Sequence, residues 1–356
     1  MIKQNLWRLE NVYNQLDKLN LDGFFVSHQP NITYLTGFNS RDAYLLITKN
    51  KNFFITDFRY WYEAKKYLKG FYLKKINGSI FSLIVNLSKS LKIRRLGFET
   101  KYLSHAEYEK IKEGLLNLGI EFIGVWDLVE HLREIKSQEE LKNIRKAIQI
   151  NIEAFKYARR IIKPGLSERQ IAYKLEGFIK NQGAKPAFEI IVAGGKNSSF
   201  CHYISGDYKI KNNDIVLIDM GVEYNGYKSD LTRIFFLGKI PFIFKKIYQI
   251  VKEAQSMAIK NIKKDITIDK IDKIARNYIK NKGWGKFFGH ALGHGVGLEI
   301  HEEPYVSSKN KDMIKKDMVF TLEPAIYLPD RFGIRIEDMI RFDGEKAEVL
   351  SASLDK

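Results

Sequence analysis

IVLIDMGVEYNGYKSDLTRIFFLG, residues 215–238, reads as two strands joined by a tight turn. Two runs of strand formers flank Asn225-Gly226, a pair that accepts the positive φ angles of a two-residue hairpin turn. With those residues as the turn, Tyr224 faces Tyr227, Asp219 faces Thr232, and Asp230 stands two places from Thr232 on the same strand. Side chains alternate along a strand, so Asp219 and Asp230 fall on one face as diagonal neighbours. A carboxylate that ends a run as apolar as IVLID is costly unless something compensates its charge.

A second pair of segments repeats the arrangement. VFTLEPAIYL (319–328) and GIRIEDMIRF (333–342) flank a loop around PDRFG. Pairing about Arg331 sets Glu323 opposite Met339, with Glu337 two places from Met339 and again on one face. Arg335 has the same parity as Glu337 and so faces the same cleft. The longer loop fixes the register less firmly than Asn225-Gly226 does. Two hairpins that each present two acids call for cations between them.

Histidine supplies the third element. The chain has seven, and beyond residue 137 they are His202, His290, His294 and His301. Three lie in GHALGHGVGLEIHEEP, residues 289–304. The spacing of His290 and His294 would suit one helix face, but Gly289, Gly293, Gly295 and Gly297 make this a tight loop feeding a strand. The H-E-x-x-H zinc helix is excluded, because no histidine follows His301 at that spacing. A site rich in carboxylate with one or two imidazoles suits Mn²⁺, Co²⁺, Fe²⁺ or Zn²⁺. Taken singly, each acid reads more readily as a surface residue and each histidine as a hydrogen-bonded loop residue. The set in one order points to metal. Cys201-His202 is a poor nucleophile and base, since neighbours on an extended chain point to opposite faces. GGKNSS, residues 194–199, lacks the spacing of a phosphate loop.

Farther out, the 356 residues suffice for two domains, and 45% hydrophobic with 28% charged residues excludes disordered, collagen-like and coiled-coil readings. No apolar run reaches the roughly 18–20 residues of a membrane helix. The polar start MIKQNLWRLENVYNQLDKLN does not read as a secretory signal, and the single Cys201 cannot form an internal disulfide, so a cytoplasmic location is expected. The net charge of +17 divides into +6 over residues 1–130 and +11 over the rest. Charge spread that evenly predicts a basic surface without specific nucleic-acid binding.

Residues 3–19 have a helical apolar face of Leu6, Leu9, Val12, Tyr13 and Leu16. Strands are expected at 24–27, 43–48, 52–56 and 94–99, with helices around 60–69, 79–91 and 104–118. Ser137 with Glu140 reads as a capping box opening a helix to Ile162, stopped by Pro164-Gly165. Further helices follow Ser167 and span about 242–260 and 267–281. The domain boundary is expected between Asp127 and Ser137.

IDMG, SDLTR, GHGVGLEIHEEP, TLEPAIY and GIRIED, in this order and spacing, resemble the proline-specific branch of the pita-bread metallopeptidases, the Xaa-Pro aminopeptidases and Xaa-Pro dipeptidases (prolidases). GFFVSHQPNITYLTGFNSRDAYLLIT followed by ITDFRY resembles the creatinase-like N-terminal domain of the same family. The resemblance implies a mixed α/β (α+β) chain, with a creatinase-like α/β domain over 1–130 and a pita-bread catalytic domain over 137–356. It implies five ligands, Asp219, Asp230, His294, Glu323 and Glu337, for two divalent ions (Mn, Co or Zn). Glu323 would also shuttle protons, His301 and His202 would donate hydrogen bonds to the reacting carbonyl, His290 would lie near the substrate, and Arg335 would hold a carboxylate or orient the acids. Xaa-Pro peptides are the implied substrates and a homodimer the implied assembly. The alternative is a basic pita-bread scaffold that binds protein or nucleic acid without peptidase activity.

Overall fold

The apolar runs between residues 24 and 56 become the centre of a sheet because they are buried on both faces, which leaves no polar side to alternate with. The computed structural model describes residues 2–39 and 41–356, with side chains from Leu6 onward; Ser40, inside the creatinase-like stretch, lies outside the described residues. The chain divides into two compact units, Met1–Arg133 and Glu134–Lys356.

The first unit holds strands β1 (Gly23–Val26), β2 (Ala43–Thr48), β3 (Asn52–Thr56), β4 (Tyr72–Lys75), β5 (Arg95–Glu99) and β6 (Glu121–Val125) in one sheet of order β4-β3-β2-β1-β5-β6. Its helices are α1 (Ile2–Lys18), α2 (Gln29–Thr36), α3 (Phe58–Tyr67), α4 (Ile80–Ser90), α5 (His105–Leu116) and α6 (Leu128–Arg133). Leu9, Val12 and Leu16 of α1 are buried as the periodicity predicts, but Leu6, nearer the start of the helix, stays exposed. The edge strands β4 and β6 and the short α2 carry no expectation from the sequence. An edge strand such as Tyr72-Leu73-Lys74-Lys75 hides only alternate residues, so its apolar signal is half that of a central strand.

The second unit opens with α7 (Gln138–Ile161) and α8 (Glu168–Asn181), each started by a reciprocal capping box, Ser137 with Glu140 and Ser167 with Gln170. β7 (Lys185–Pro186), β8 (Ile191–Gly194), β9 (Ile215–Tyr224) and β10 (Tyr227–Phe236) form one sheet, with β9 between β10 and both β7 and β8. After α9 (Phe242–Lys260) and α10 (Ile268–Asn281) come β11 (Gly293–Gly295), β12 (Glu302–Val306), β13 (Val319–Leu322), β14 (Ala325–Leu328), β15 (Phe332–Arg335), β16 (Asp338–Phe342) and β17 (Ala347–Val349). A five-stranded sheet has the order β12-β11-β13-β16-β17, and β14 pairs with β15 alone. Buried Ile, Val, Ala, Leu and Phe of α9, α10 and these strands make a large hydrophobic core in this unit. Among the described residues no helix is long and apolar enough to cross a membrane.

The first hairpin has the expected register: Tyr224 pairs with Tyr227 and Asp219 with Thr232, with Asn225 at φ 50 and Gly226 at φ 84 in the turn. The second does not. Leu322 pairs with Asp338 and Ala325 with Arg335, which centres the pairing on Asp330 instead of Arg331 and sets Glu323 at the level of Glu337, not Met339. The cause is the turn: Asp330 takes φ 57 and the Arg331 amide bonds to Leu328, which tightens the loop. Each residue slides by two relative to its partner, and a slip of two leaves every side chain on its expected face.

Candidate metal centre

Two acids come from strands and two from the breaks between strands, and all four line one cavity. Asp219 and Asp230 project from the β9/β10 hairpin, which α7 grips through Asn151, whose Nδ2 donates to Met220 O (2.7 Å) and Ser229 Oγ (3.1 Å). Glu323 and Glu337 occupy the breaks between β13 and β14 and between β15 and β16. Pro324 has no N–H to continue a ladder past Glu323, and beside this break the Glu323 amide donates to Leu292 O (2.8 Å) and the Glu337 amide to Thr232 O (3.2 Å). The last of these bonds ties the second hairpin to the first.

His294 sits between Gly293 and Gly295 because the flanking backbones leave no room for larger residues. A Cβ on Gly293 would stand 1.9 Å from Thr321 O, and one on Gly295 would stand 2.2 Å from Glu303 O. The segment is a strand and not a helix, as its glycines require. His294 Nδ1 lies 3.1 Å from Gly295 O, an acceptor, so this nitrogen carries the proton and Nε2 presents its lone pair. That lone pair lies 3.4 Å from Glu323 Oε1 and 3.7 Å from Asp230 Oδ2. Burial, helped by the nearby His301, lowers the His294 pKa to about 4, so the ring is neutral at pH 7. A lone pair facing carboxylates is repulsive until a cation stands between them.

The acids carry the same message. Ligand atoms of Asp230, His294 and Glu337 all lie within 4.8 Å of one another, and the three residues are buried. Burial, then Glu337, Asp219 and Glu323, push the Asp230 carboxyl far above its ordinary value, and burial followed by Glu323 and Asp219 does so for Glu337. Glu323 is pushed up to about 8 by burial, against Arg335, with Asp219 adding to the rise. One oxygen each of Asp219 and Asp230 is buried without a hydrogen-bond partner. Orphaned carboxylate oxygens beside a neutral imidazole fit divalent cations.

Arg335 supplies positive charge from one side. Its Nη2 donates to Asp219 Oδ2, its Nε to Thr232 Oγ1 (3.0 Å), and its Nη1 to Tyr327 OH (2.5 Å) and Cys201 O (3.3 Å). Burial opposes the guanidinium charge, but Tyr327 and the acids outweigh it and hold the group more firmly protonated than usual. Thr232 in turn donates to Glu337 Oε2 (2.7 Å). Sequence reasoning missed Thr232 and Tyr327 as members of this network. The pairing of Thr232 with Asp219 was a signal for the first, and nothing marks Tyr327 beyond its parity with Arg335 across the ladder.

All nine residues singled out in the sequence line one cavity of about 570 Å³, whose other wall is apolar, with Phe188, Ile191, Ile204, Ile300 and Tyr305. His202 and His301 are exposed at its rim, and the His301 ring stands edge-on to His294 with centroids 4.2 Å apart. Burial, then His202, lower the His301 pKa. His290 bonds through Nδ1 to Ala291 O (2.8 Å), leaving Nε2 buried without a partner, and burial lowers its pKa to about 4. Cys201 and His202 both line the cavity, because the chain bends there and does not run extended as expected. The GGKNSS segment is a 3₁₀ turn (Gly195–Ser199) that supports β15: Ser198 Oγ accepts from the Gly333 amide at 2.9 Å. A slightly larger hollow of about 630 Å³, beside Arg233 and Lys356, lies off the acid cluster.

Residues 142–343 match the model of metallopeptidase family M24, and residues 8–135 match the creatinase/prolidase N-terminal domain. The chain belongs to metallopeptidase family M24. This M24 chain is 37% identical over 337 residues to the Xaa-Pro dipeptidase of Pyrococcus horikoshii, covering 94% of this chain and 93% of that one. Its fold superposes on an Xaa-Pro dipeptidase from Bacillus anthracis with TM-score 0.94 and 36% identity over 99% of each chain. An X-Pro aminopeptidase from Thermotoga maritima follows with TM-score 0.89 and 33% identity, covering 96% of this chain and 97% of that chain. M24 membership makes the protein a metal-dependent peptidase with a creatinase N-terminal domain and a mixed α/β catalytic domain.

Proposed function

We propose that this enzyme hydrolyses the peptide bond preceding proline, releasing the N-terminal residue from Xaa-Pro dipeptides or Xaa-Pro-initiated peptides. One observation carries the reading: a neutral His294 lone pair directed at buried carboxylates, in a cavity half lined by apolar side chains, on a chain whose similar relatives carry that activity in their names. The alternative of a scaffold without peptidase activity draws no support from these relatives. The domains are assigned to residues 1–130 and 137–356.

Asp219, Asp230, His294, Glu323 and Glu337 would hold two divalent ions, Mn²⁺, Co²⁺ or Zn²⁺. Bound there, such ions polarise a carbonyl and make water nucleophilic at neutral pH. Glu323 borders the cavity and serves as the proton carrier to the leaving nitrogen. His301 and His202, at the rim, donate hydrogen bonds to the reacting carbonyl oxygen, where charge develops. His290 lies on the substrate side. Arg335 orients Asp219 and balances the acids. The bond before proline is a tertiary amide without N–H, so a site that accepts it relies on shape, and the apolar wall suits a pyrrolidine ring. The enzyme is assigned to the cytoplasm and to a homodimer.

The test is turnover of Xaa-Pro and Xaa-Ala dipeptides and of Xaa-Pro tripeptides, after chelation and after adding back Mn²⁺, Co²⁺ or Zn²⁺. Xaa-Pro cleavage that vanishes with the metal and returns with it is expected. Full activity in exhaustively metal-free enzyme, or equal rates on Xaa-Ala, would sink the reading.

A further inference from the structure

We propose that Lys356 and Gln255 form a positioning relay that sets the backbone carrying Glu323 and Glu337 for metal binding. The relay rests on the metal-centre reading above. Neither residue lines the cavity that the nine site residues share, and Lys356 lines the separate hollow beside Arg233.

Glu323 and Glu337 stand at breaks between strands, where no regular ladder fixes the backbone. The carbonyls immediately before them, Leu322 O and Ile336 O, converge on one side-chain amide: Gln255 Nε2, on α9, donates to both at 2.8 and 3.2 Å. Gln255 is completely buried. Only the NH₂ end of an amide can serve two carbonyls. The flipped amide would turn its oxygen onto both, a repulsive contact with no water to relieve it.

Lys356 decides the flip. Its Nζ donates to Gln255 Oε1 at 2.6 Å, and an ammonium has only donors to offer, so the amide oxygen must face it and the NH₂ must face the carbonyls. The same Nζ lies 2.8 Å from Asp338 Oδ2, next in sequence to Glu337. Asp338 Oδ1 accepts from Arg233 Nη2 and Ser351 Oγ, both at 2.6 Å, and Arg233 Nη1 donates to Glu337 O at 2.6 Å. The ammonium is therefore anchored by an ion pair on one side and presented to Gln255 on the other. Polar partners behind metal ligands are commonly worth about 10–100-fold in metal affinity, because they fix ligand direction.

The test measures Co²⁺ binding to chelator-stripped full-length protein by visible absorbance, independently of turnover, for wild type, Lys356→Met, Lys356→Arg, Gln255→Leu and the double variant Gln255→Leu/Lys356→Met. Lys356→Met and Gln255→Leu are expected to weaken Co²⁺ binding about 10–100-fold each, with the double variant no weaker than Gln255→Leu, since both break one relay. Lys356→Arg, which keeps donors and charge, should recover much of the affinity. Unchanged Co²⁺ binding in Lys356→Met, or losses that multiply in the double variant, would overturn the relay. Absence of Co²⁺ binding by the wild type would instead remove the metal-centre reading itself. Melting of the metal-free variants serves as the folding control: a purely structural role lowers the melting temperature and leaves the affinity of folded protein intact, which also overturns the relay.

Discussion

Replacing Gly293 by alanine measures how tightly the fold holds His294. The added methyl carbon would stand 1.9 Å from Thr321 O and 2.7 Å from Thr321 C, both backbone atoms of β13, where real Cβ contacts stay beyond 3.0 Å. No side-chain rotation relieves that clash, so β11 must move off β13 by roughly 1 Å, a misplacement that costs on the order of 10²-fold in rate when it reaches a reacting group. Overpacking of this kind costs about 1–3 kcal/mol, less than the typical stability of a domain, so the variant should fold. Gly289→Ala, in the same motif, is the control, because nothing lies within 4 Å of its added methyl. The assay is kcat/KM on an Xaa-Pro dipeptide, with bound metal counted by atomic emission. Gly293→Ala should lose about 10²-fold and bind metal more weakly, and Gly289→Ala should match wild type. If Gly293→Ala keeps wild-type turnover and metal content, the close approach of β13 does not position His294 and the reasoning fails.

Glu323→Gln keeps the volume of the side chain and removes its capacity to carry a proton, so kcat should stay about 10²–10⁴-fold down even with metal fully bound. His301→Ala, which leaves all five proposed acid and imidazole ligands in place, should cost about 10²–10³-fold; a Glu323→Gln enzyme near wild-type rate with metal bound would strip Glu323 of the proposed proton-carrying role. Metal-free protein should also lose stability as pH rises from about 6.5 to 8. The Glu323 carboxyl, pushed up to about 8, keeps a proton that the unfolded chain has released, which lowers stability with rising pH up to that value, and Asp230 and Glu337 are shifted in the same direction. His290 and His294, lowered to about 4, act in the opposite direction only below their ordinary 6.5, so above it the carboxyls stand alone. Calorimetry at pH 6.5 and 8 with and without Glu323→Gln checks this, and a melting temperature that rises with pH in the metal-free protein would contradict it.

The parts of the site that a local rule governs were legible. Asn225-Gly226 admits one turn geometry, so the register of β9 and β10, and with it the pairing of Asp219 with Thr232, could be counted from the sequence. The loop of the second hairpin admits several, and its tightening at Asp330 moved Glu323 from Met339 to the level of Glu337 without changing its face. Period-two reasoning tolerates that slip, so parity still places Arg335 on the face of the acids, where its guanidinium donates to Asp219. It fails where the chain bends, as at Cys201 and His202. Partners from distant elements, such as Tyr327 on Arg335 and Gln255 behind Glu323, have no signature in spacing, since only the closed fold brings them together.

The tie between the two hairpins also bears on the order in which this domain forms. The β9/β10 hairpin closes through a two-residue turn, an event of microseconds that needs no other part of the chain. Thr232 and Glu337 are 105 residues apart, and Asp219 and Arg335 are 116 apart. Contacts that distant form only after the intervening helices and strands have docked, because the entropy of closing so long a loop must be met first. Before that moment the chain offers a cation one pair of aspartates, and afterwards a ring of acids and an imidazole. Cation capture by the proposed metal centre would therefore belong at the end of folding, where it would hold the finished domain by mass action and take no part in its nucleation.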